Sequence, residues 1–210
     1  MRLLIATTNR NKVREIRALL EDAPVELLTL DAFPALPAPE ETGRTYEENA
    51  RQKAHYYAGV TGELTVAEDS GLEIDALGGA PGVESARFGG AEVSYPAKFA
   101  MLYDALRAKG AAGVNSPARF VCALALAQGE CILVETRGTI EGGIAPEPKG
   151  AGGFGYDPIF FYPPYRQTLA EATLAQKSAV SHRGEAFRKL RDFLLMFASE
   201  QPASHDRDLR

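Results

Sequence analysis

Two pairs of adjacent acids each precede a hydroxyl residue and a glycine: Glu40 and Glu41 in "PEETG", and Glu68 and Asp69 in "AEDSG". The second pair follows the apolar run "LTVA", and a buried strand has no structural use for two carboxylates where it breaks into a turn. A divalent cation would give them one. Carboxylate oxygens suit Mg²⁺, which takes one or two protein carboxylates and fills the rest of its octahedron with water and substrate phosphate. Two non-catalytic explanations stand beside this. Asp69 could lead a turn by bonding its own backbone two residues on, and "PEETG" could be a solvated loop.

Phosphate chemistry is suggested by "TTNRNK", residues 7–12. Hydroxyls and an amide end an apolar run there and Lys12 opens a helix, so an anion would meet helix N–H groups, the side chains of Thr7, Thr8 and Asn9, and an ammonium. An ordinary cap by Asn9 or Asn11 with a solvated Lys12 explains the same residues. Asn49 and Lys53 stand four apart, share one helix face and could aim at one anion. A surface lysine lying along its own helix is the plainer account.

Gly150, Gly152 and Gly155 in "KGAGGFGYDP" have the spacing of a dinucleotide-binding turn. That fingerprint needs a strand before it and a helix after it. Pro146, Pro148 and Pro158 deny both,. What the glycines offer instead is backbone room around Phe154, which suits a flat ring stacking on the phenyl face. Lys177, His182 and Arg183 in "KSAVSHRG" bring donors, and Lys and Arg accept nothing,. Such donors select a carbonyl oxygen, so a purine with oxygen at position 6 fits where adenine would leave them unpaired. The alternative for "SHRGE" is a helix start capped by Ser181 with His182 exposed.

These residues need elements to hold them. "RLLIATT" reads as a strand, and Val13, Ile16, Leu19 and Leu20 recur at helical spacing after it,. "VELLTL" is a second strand, and the proline-rich "DAFPALPAPEETG" a loop. Thr45 and Glu48 make a capping box for a helix to about Gly59. "LTVAE" is expected to stop at "DSG", with "LEIDAL" resuming as a separate strand. "LGGAPGVESARFGG" reads as a loop and 93–109 as a helix. Residues 119–141 form a hairpin turning at Gln128-Gly129, with Cys122 and Cys131 as buried, unbonded thiols. A glycine-rich loop covers 142–158, and Ser181 caps a final helix to about Ala198.

The expected fold is therefore α/β: a mixed, elongated central sheet flanked by helices, in two lobes about an active-site cleft. One domain covers 1–198, with 199–210 as a frayed tail. A formal net charge of −5 without any basic stripe argues against long nucleic acid,. No apolar run reaches the length of a membrane span, so a cytoplasmic location is expected.

With "TTNRNK", "EETGRTYEENARQKA", "AEDSG", "GGAPGVESAR", "GGFGYDPIF" and "QKSAVSHRG" in this order, the chain resembles the inosine triphosphate pyrophosphatase family from about residue 3 to 195. The resemblance implies a homodimer that hydrolyses ITP, dITP and XTP to the monophosphate and pyrophosphate with Mg²⁺. It places Thr7, Thr8, Asn9, Arg10, Asn11, Lys12 and Lys53 on the triphosphate, and Ser70 beside the substrate. Glu41 and Asp69 stand at the metal and the attacking water, with Glu40 and Glu68 as further metal candidates. Phe154, Gly155, Tyr156, Asp157, Lys177, His182 and Arg183 surround the base. Asp69 and Lys53 are the catalytic pair, and Asp69 would orient the attacking water and deprotonate it, or orient it alone. Thr8 stands where the family often has Gly or Ser, and Gln176 where an acid is common; neither removes a chemical role. A pyrophosphatase for pyrimidine or modified nucleotides is the nearest competitor. A non-catalytic nucleotide module has no use for the acids, and a carboxylate-pair glycosidase would want aromatic platforms from a chain that has no Trp,.

Overall fold

The computed structural model describes residues 1–111 and 116–200. The apolar run at the N-terminus forms β1 (Arg2–Ile5), and α1 (Arg10–Leu19) follows once Asn9 caps it. Strand β2 (Glu26–Thr29) leads through a proline-rich loop to α2 (Tyr46–Thr61), which opens on the expected Thr45–Glu48 capping box and closes on left-handed Gly62. Next come β3 (Leu64–Ile74), α3 (Tyr95–Ala108), β4 (Pro117–Gln128), β5 (Cys131–Ile144), β6 (Phe160–Tyr162) and β7 (Gln167–Thr168). Helices α4 (Leu174–Val180) and α5 (His182–Glu200) end the described chain.

The seven strands make one mixed sheet in the order β2-β1-β3-β4-β5-β6-β7. Strands β2, β1 and β3 run parallel, and every pairing from β3 onward is antiparallel. On one face Ile16 of α1 and Phe187, Leu190 and Leu194 of α5 pack against Leu3, Val66 and Leu124. On the other, Ala50 and Ala54 of α2 meet Ala67, Ala125 and Ala127, small residues that let the helix backbone approach the sheet,. A further cluster at the far end joins Leu72 and Ile74 to Phe99, Leu102, Phe120 and Phe160. Along β3 the apolar residues change cluster across Glu68-Asp69-Ser70-Gly71.

Several expectations are corrected. "LTVAE" and "LEI" are one strand: Asp69, Ser70 and Gly71 all have ladder partners (Ala123, Cys122 and Val121), because β4 is an uninterrupted apolar run that pairs along its length. The acids therefore stand in mid-strand, not in an Asp-led turn. Gly71 serves close approach, since a Cβ there would lie 2.3 Å from the Gly82 carbonyl oxygen,. The hairpin turns at Gly129-Glu130, because Gln128 pairs with Cys131, and a bulge follows Leu126. Cys122 is buried as expected, whereas Cys131 at the turn is exposed. Strand β5 continues to Ile144, and α4 forms where no helix was expected, on its own Thr173–Gln176 capping box. The final helix runs to Glu200, and the rest of the expected frayed tail, 201–210, lies outside the described residues.

Candidate active site

Two cavities meet where α1 begins, sharing Thr8, Lys12, Glu41 and Ser70 as common walls. The larger, about 280 Å³, is bounded by Asn9, Tyr95, Phe120, Phe154, Gly155, Tyr156, Asp157, Lys177, His182 and Arg183. The smaller, about 160 Å³, is bounded by Thr7, Lys53, Tyr57, Glu68 and Asp69. Together they form one cleft with an aromatic end and an acidic end.

Local chemistry places each residue at the acidic end. Asn9 Oδ1 accepts from the amides of Asn11 (3.0 Å) and Lys12 (3.3 Å), and Thr7 Oγ1 accepts from the Asn9 amide (3.2 Å). Asn9 is thus a cap as well as a wall residue. Lys12 is not solvated, because its Nζ lies 2.9 Å from Glu68 Oε1. One turn apart on α2, Asn49 and Lys53 do aim at a common anion, but it is the protein's own Asp69: Asn49 Nδ2 donates to Oδ2 at 3.0 Å and Lys53 Nζ lies 3.4 Å from Oδ1. Lys53 also donates to Glu41 Oε1 at 2.6 Å. Burial pushes the Asp69 carboxyl above its usual range against the pull of Lys53 and Asn49, and the Glu41 charge adds to the rise. Burial opposes the Lys53 charge, but Asp69 and Glu41 outweigh it and hold that ammonium firmly protonated.

Among the described residues no three Asp, Glu, His or Cys side chains converge as a metal cage. Glu41 and Asp69 converge as a pair on Lys53, a donor set that fits Mg²⁺, since this ion takes one or two protein carboxylates beside phosphate and water. The other acids stand differently. Glu40 is exposed and lines neither cavity. Glu68 is committed elsewhere, to Lys12, to Arg183 Nε (3.2 Å) and Nη2 (3.1 Å), and to the Cys122 thiol (3.4 Å). Burial disfavours its charge, yet Arg183 and Lys12 hold it well below the usual carboxylate range.

At the aromatic end, the glycines let the chain fold tightly round Phe154. Gly153 has φ +65°, and a Cβ there would fall 2.1 Å from Asp157 Oδ2,. That oxygen accepts from the Phe154 amide at 2.7 Å and binds the Lys177 ammonium. Tyr156 Oη donates to the Ser85 carbonyl at 2.8 Å and ties this loop to the one after β3. Lys177 Nζ and Arg183 Cζ lie over the Phe154 ring, 4.7 and 5.5 Å from its centroid. His182 is buried rather than exposed, stacked on Phe120 at 4.8 Å. Burial, with Arg183 and Lys177 beside it, drives its pKa well below the ordinary histidine value, so the ring is neutral at pH 7. Its Nδ1 is buried with no hydrogen-bond partner among the described residues. Ser181 Oγ accepts from the Gly184 amide at 3.0 Å and so caps the helix that presents His182 and Arg183. Of the remaining expected residues, Arg10 is exposed beside a depression with Thr29 and Asp31 that shares Thr7 and Thr8 with the cleft, and Asn11 is exposed and lines neither half of the cleft.

A model of the Ham1 family matches residues 3–193. The chain belongs to the Ham1 family. It is 47% identical over 197 residues to a dITP/XTP pyrophosphatase of an Exiguobacterium species, covering 94% of this chain and 98% of that one. A dITP/XTP pyrophosphatase of Geobacter sulfurreducens is 45% identical over 193 residues, covering 92% and 96%. Among solved structures, a Ham1 protein from Coxiella burnetii superimposes with a TM-score of 0.85 at 38% identity over 93% of this chain and 99% of that one. The Ham1 protein of Staphylococcus aureus gives 0.80 at 33% identity, covering 94% and 100%.

Two residues of this Ham1 chain were not singled out from its sequence. Glu15, buried on α1, binds Lys177 through Oε1 and Arg183 through Oε2, each at 2.8 Å. Its spacing of three from Lys12 on the same helix was the available signal. Arg87 reaches Glu41 Oε2 at 3.4 Å from the loop after β3, while also pairing with Glu84. Nothing local in "ESARF" marks it, because its partner Glu41 lies 46 positions earlier in the chain.

Proposed function

We propose that the chain hydrolyses non-standard purine nucleoside triphosphates, dITP, ITP and XTP, to the monophosphate and pyrophosphate, in two lobes about this cleft. The observation that carries the reading is a single cleft whose aromatic end holds Lys177, neutral His182 and Arg183 around Phe154, and whose other end holds Asp69 between Lys53 and Glu41. A flat base lies against Phe154 with its 6-oxo group toward the donors, and the phosphates extend past Ser70 and Lys12. Asp69 positions a water and takes its proton as the water oxygen bonds to the α-phosphorus. The bridging bond to the β-phosphate breaks and its electron pair leaves with pyrophosphate. Burial raises the Asp69 pKa and favours it as a proton acceptor,, whereas a cation held beside it would pull that pKa down, so holding the water in line is the larger part of its role.

The charge balance favours a substrate that arrives with a divalent cation. Lys12, Lys53, Arg87, Lys177 and Arg183 face Glu15, Glu41, Glu68, Glu84, Asp69 and Asp157, so carboxylates exceed cations by one. A bare triphosphate would meet no net positive charge. Mg²⁺ held by Glu41 and Asp69 would supply neutralisation of phosphate oxygens as charge moves to the leaving group. The homodimer and the cytoplasmic location stay part of the proposal. No described helix is long and apolar enough to cross a membrane.

Product analysis of ITP, dITP and XTP, with and without Mg²⁺, tests the reaction. Monophosphate with pyrophosphate is expected, and only with the metal; diphosphate with inorganic phosphate would place the attack elsewhere.

A further inference from the structure

The reaction outlined above gives Arg87 no task, yet the backbone that carries it is held on several sides. It follows directly on Ala86, which walls both cavities where they meet. Ser85 Oγ accepts from the Leu72 amide of β3 at 2.9 Å and donates to the Gly82 carbonyl at 2.6 Å. The Ser85 carbonyl takes the Tyr156 hydroxyl at 2.8 Å, and the Ala86 carbonyl takes the ammonium of buried Lys98 from α3. A loop fixed to a strand, a helix and the Phe154 loop presents its next side chain in one place.

Counting donors shows what is presented. A guanidinium has five N–H groups. Nε and one Nη2 hydrogen of Arg87 fork onto Glu84, at 3.1 and 3.2 Å. One Nη1 hydrogen reaches Glu41 Oε2 at 3.4 Å, a long contact beside the 2.6 Å bond that Lys53 makes to the other oxygen of that carboxylate. Among the described residues, one hydrogen on Nη1 and one on Nη2 have no acceptor. The charge is equally available. Lys12 and Lys53 are tied to cleft carboxylates at 2.9 and 2.6 Å, whereas the main partner of Arg87 is Glu84, whose side chain is 58% exposed and so holds it weakly,. Through Glu41 the guanidinium stands at the acidic end, away from Phe154 and the base.

We propose that Arg87 is a further catalytic residue: it exchanges its long contact with Glu41 for oxygens of the β- and γ-phosphates and holds the pyrophosphate as it leaves. This rests on the reading of the cleft as a nucleotide site and adds to it the cation that receives the leaving group. As the bond between the α-phosphorus and the bridging oxygen breaks, its electron pair stays on that oxygen and negative charge grows on pyrophosphate. Arg87 meets the charge with hydrogen bonds and stays protonated, so no proton passes through it.

The test measures binding of two product fragments to wild type, Arg87→Ala and Arg87→Lys by calorimetry: magnesium pyrophosphate, which fills only the phosphate end, and IMP, which fills the base end. A charge-assisted contact at a half-exposed site lies at the low end of its range, so pyrophosphate should bind at least about tenfold more weakly to Arg87→Ala while IMP stays within about twofold. Arg87→Lys, with the charge but not the planar fork, recovers part of the loss. The value of kcat/KM for ITP should fall by at least the same factor, because the leaving group carries more charge in the transition state than in the substrate. The Arg87 side chain is 41% exposed, so its removal leaves the fold intact, and unchanged IMP binding verifies this. Pyrophosphate binding within about threefold of wild type, or an equal loss for IMP, would overturn the proposal. A wild type that releases no pyrophosphate from ITP would overturn the nucleotide reading itself, a result distinct from a variant that binds pyrophosphate as the wild type does.

Discussion

Replacing Asp69 by Asn separates binding from turnover at the centre of the proposed chemistry. In the wild type, Oδ2 accepts from Asn49 at 3.0 Å and Oδ1 faces Lys53 at 3.4 Å. An Asn side chain can keep its oxygen toward one of these donors, leaving the other facing an amide NH₂, which costs on the order of 1–3 kcal/mol. Against that, burial already disfavours the Asp69 charge, and removing it returns part of that cost. Lys53 keeps Glu41 at 2.6 Å, so the local fold survives. The change also deletes one carboxylate from a cleft where they are in excess, which offsets the weaker hold on Mg²⁺ that falls to Glu41 alone, so the substrate is still bound about as well. Turnover suffers alone: losing a positioned base is worth about 10²- to 10⁴-fold, or roughly 3 to 5 kcal/mol in the barrier. Steady-state kinetics on ITP should thus show kcat down by at least about 10²-fold with KM little changed. A kcat within about threefold of wild type, or a loss confined to KM, would refute Asp69 as the group that handles the water.

Other perturbations have equally definite outcomes. Lys12→Ala should raise KM about 10- to 100-fold for every base alike, because a phosphate contact cannot read the base; titrating ITP, XTP and GTP checks it, and a loss for one base only would misplace the triphosphate. Phe154→Ala should weaken all purine substrates by about 1–3 kcal/mol without changing their order, as loss of a stacking surface does, and inhibition by the monophosphates reads this directly. Acidification should destabilise the free protein through His182. Its folded pKa is depressed, so the unfolded state binds the extra proton, and stability present above about pH 6.5 is lost as pH falls below it,. The loss reaches about 1.4 kcal/mol by pH 5.5 if the folded ring stays neutral, and denaturant melts at the two pH values should show it as the extra pH dependence of wild type over His182→Gln, which lacks it.

Much of the cleft could be read from residue types alone, and where reading failed the cause was tertiary. The Thr45–Glu48 capping box and the shared face of Asn49 and Lys53 are local, and the structure reproduces both. "EDSG" looked like a turn because Asp, Ser and Gly end strands in isolation; only the β4 partner, far away in sequence, carries the ladder through them. Lys12, Lys53 and Arg183 read as free cations awaiting a phosphate or a base. Each is already paired, with Glu68, with Glu41 and Asp69, and with Glu15 and Glu68, because burial in a folded core leaves no charge unmatched,. The same pairing commits Glu68 to Lys12 and Arg183 and brings in Glu15, a residue whose partners lie more than a hundred and sixty positions away. Helix α4 was missed because its seven residues are too few to show a period,.

The central claim is that the donors at the aromatic end choose a 6-oxo purine, and kcat/KM for ITP and XTP against ATP and GTP measures it most directly. A carbonyl satisfies Lys177 and Arg183, whereas the adenine amino group opposes them and leaves buried donors unpaired, so ATP should be poorer than ITP by up to about 10⁴-fold. GTP shares the 6-oxo group and must be refused at position 2, where it alone carries an amino group. An ATP efficiency within about tenfold of ITP would contradict the account, since a site built from these donors could not treat the two alike.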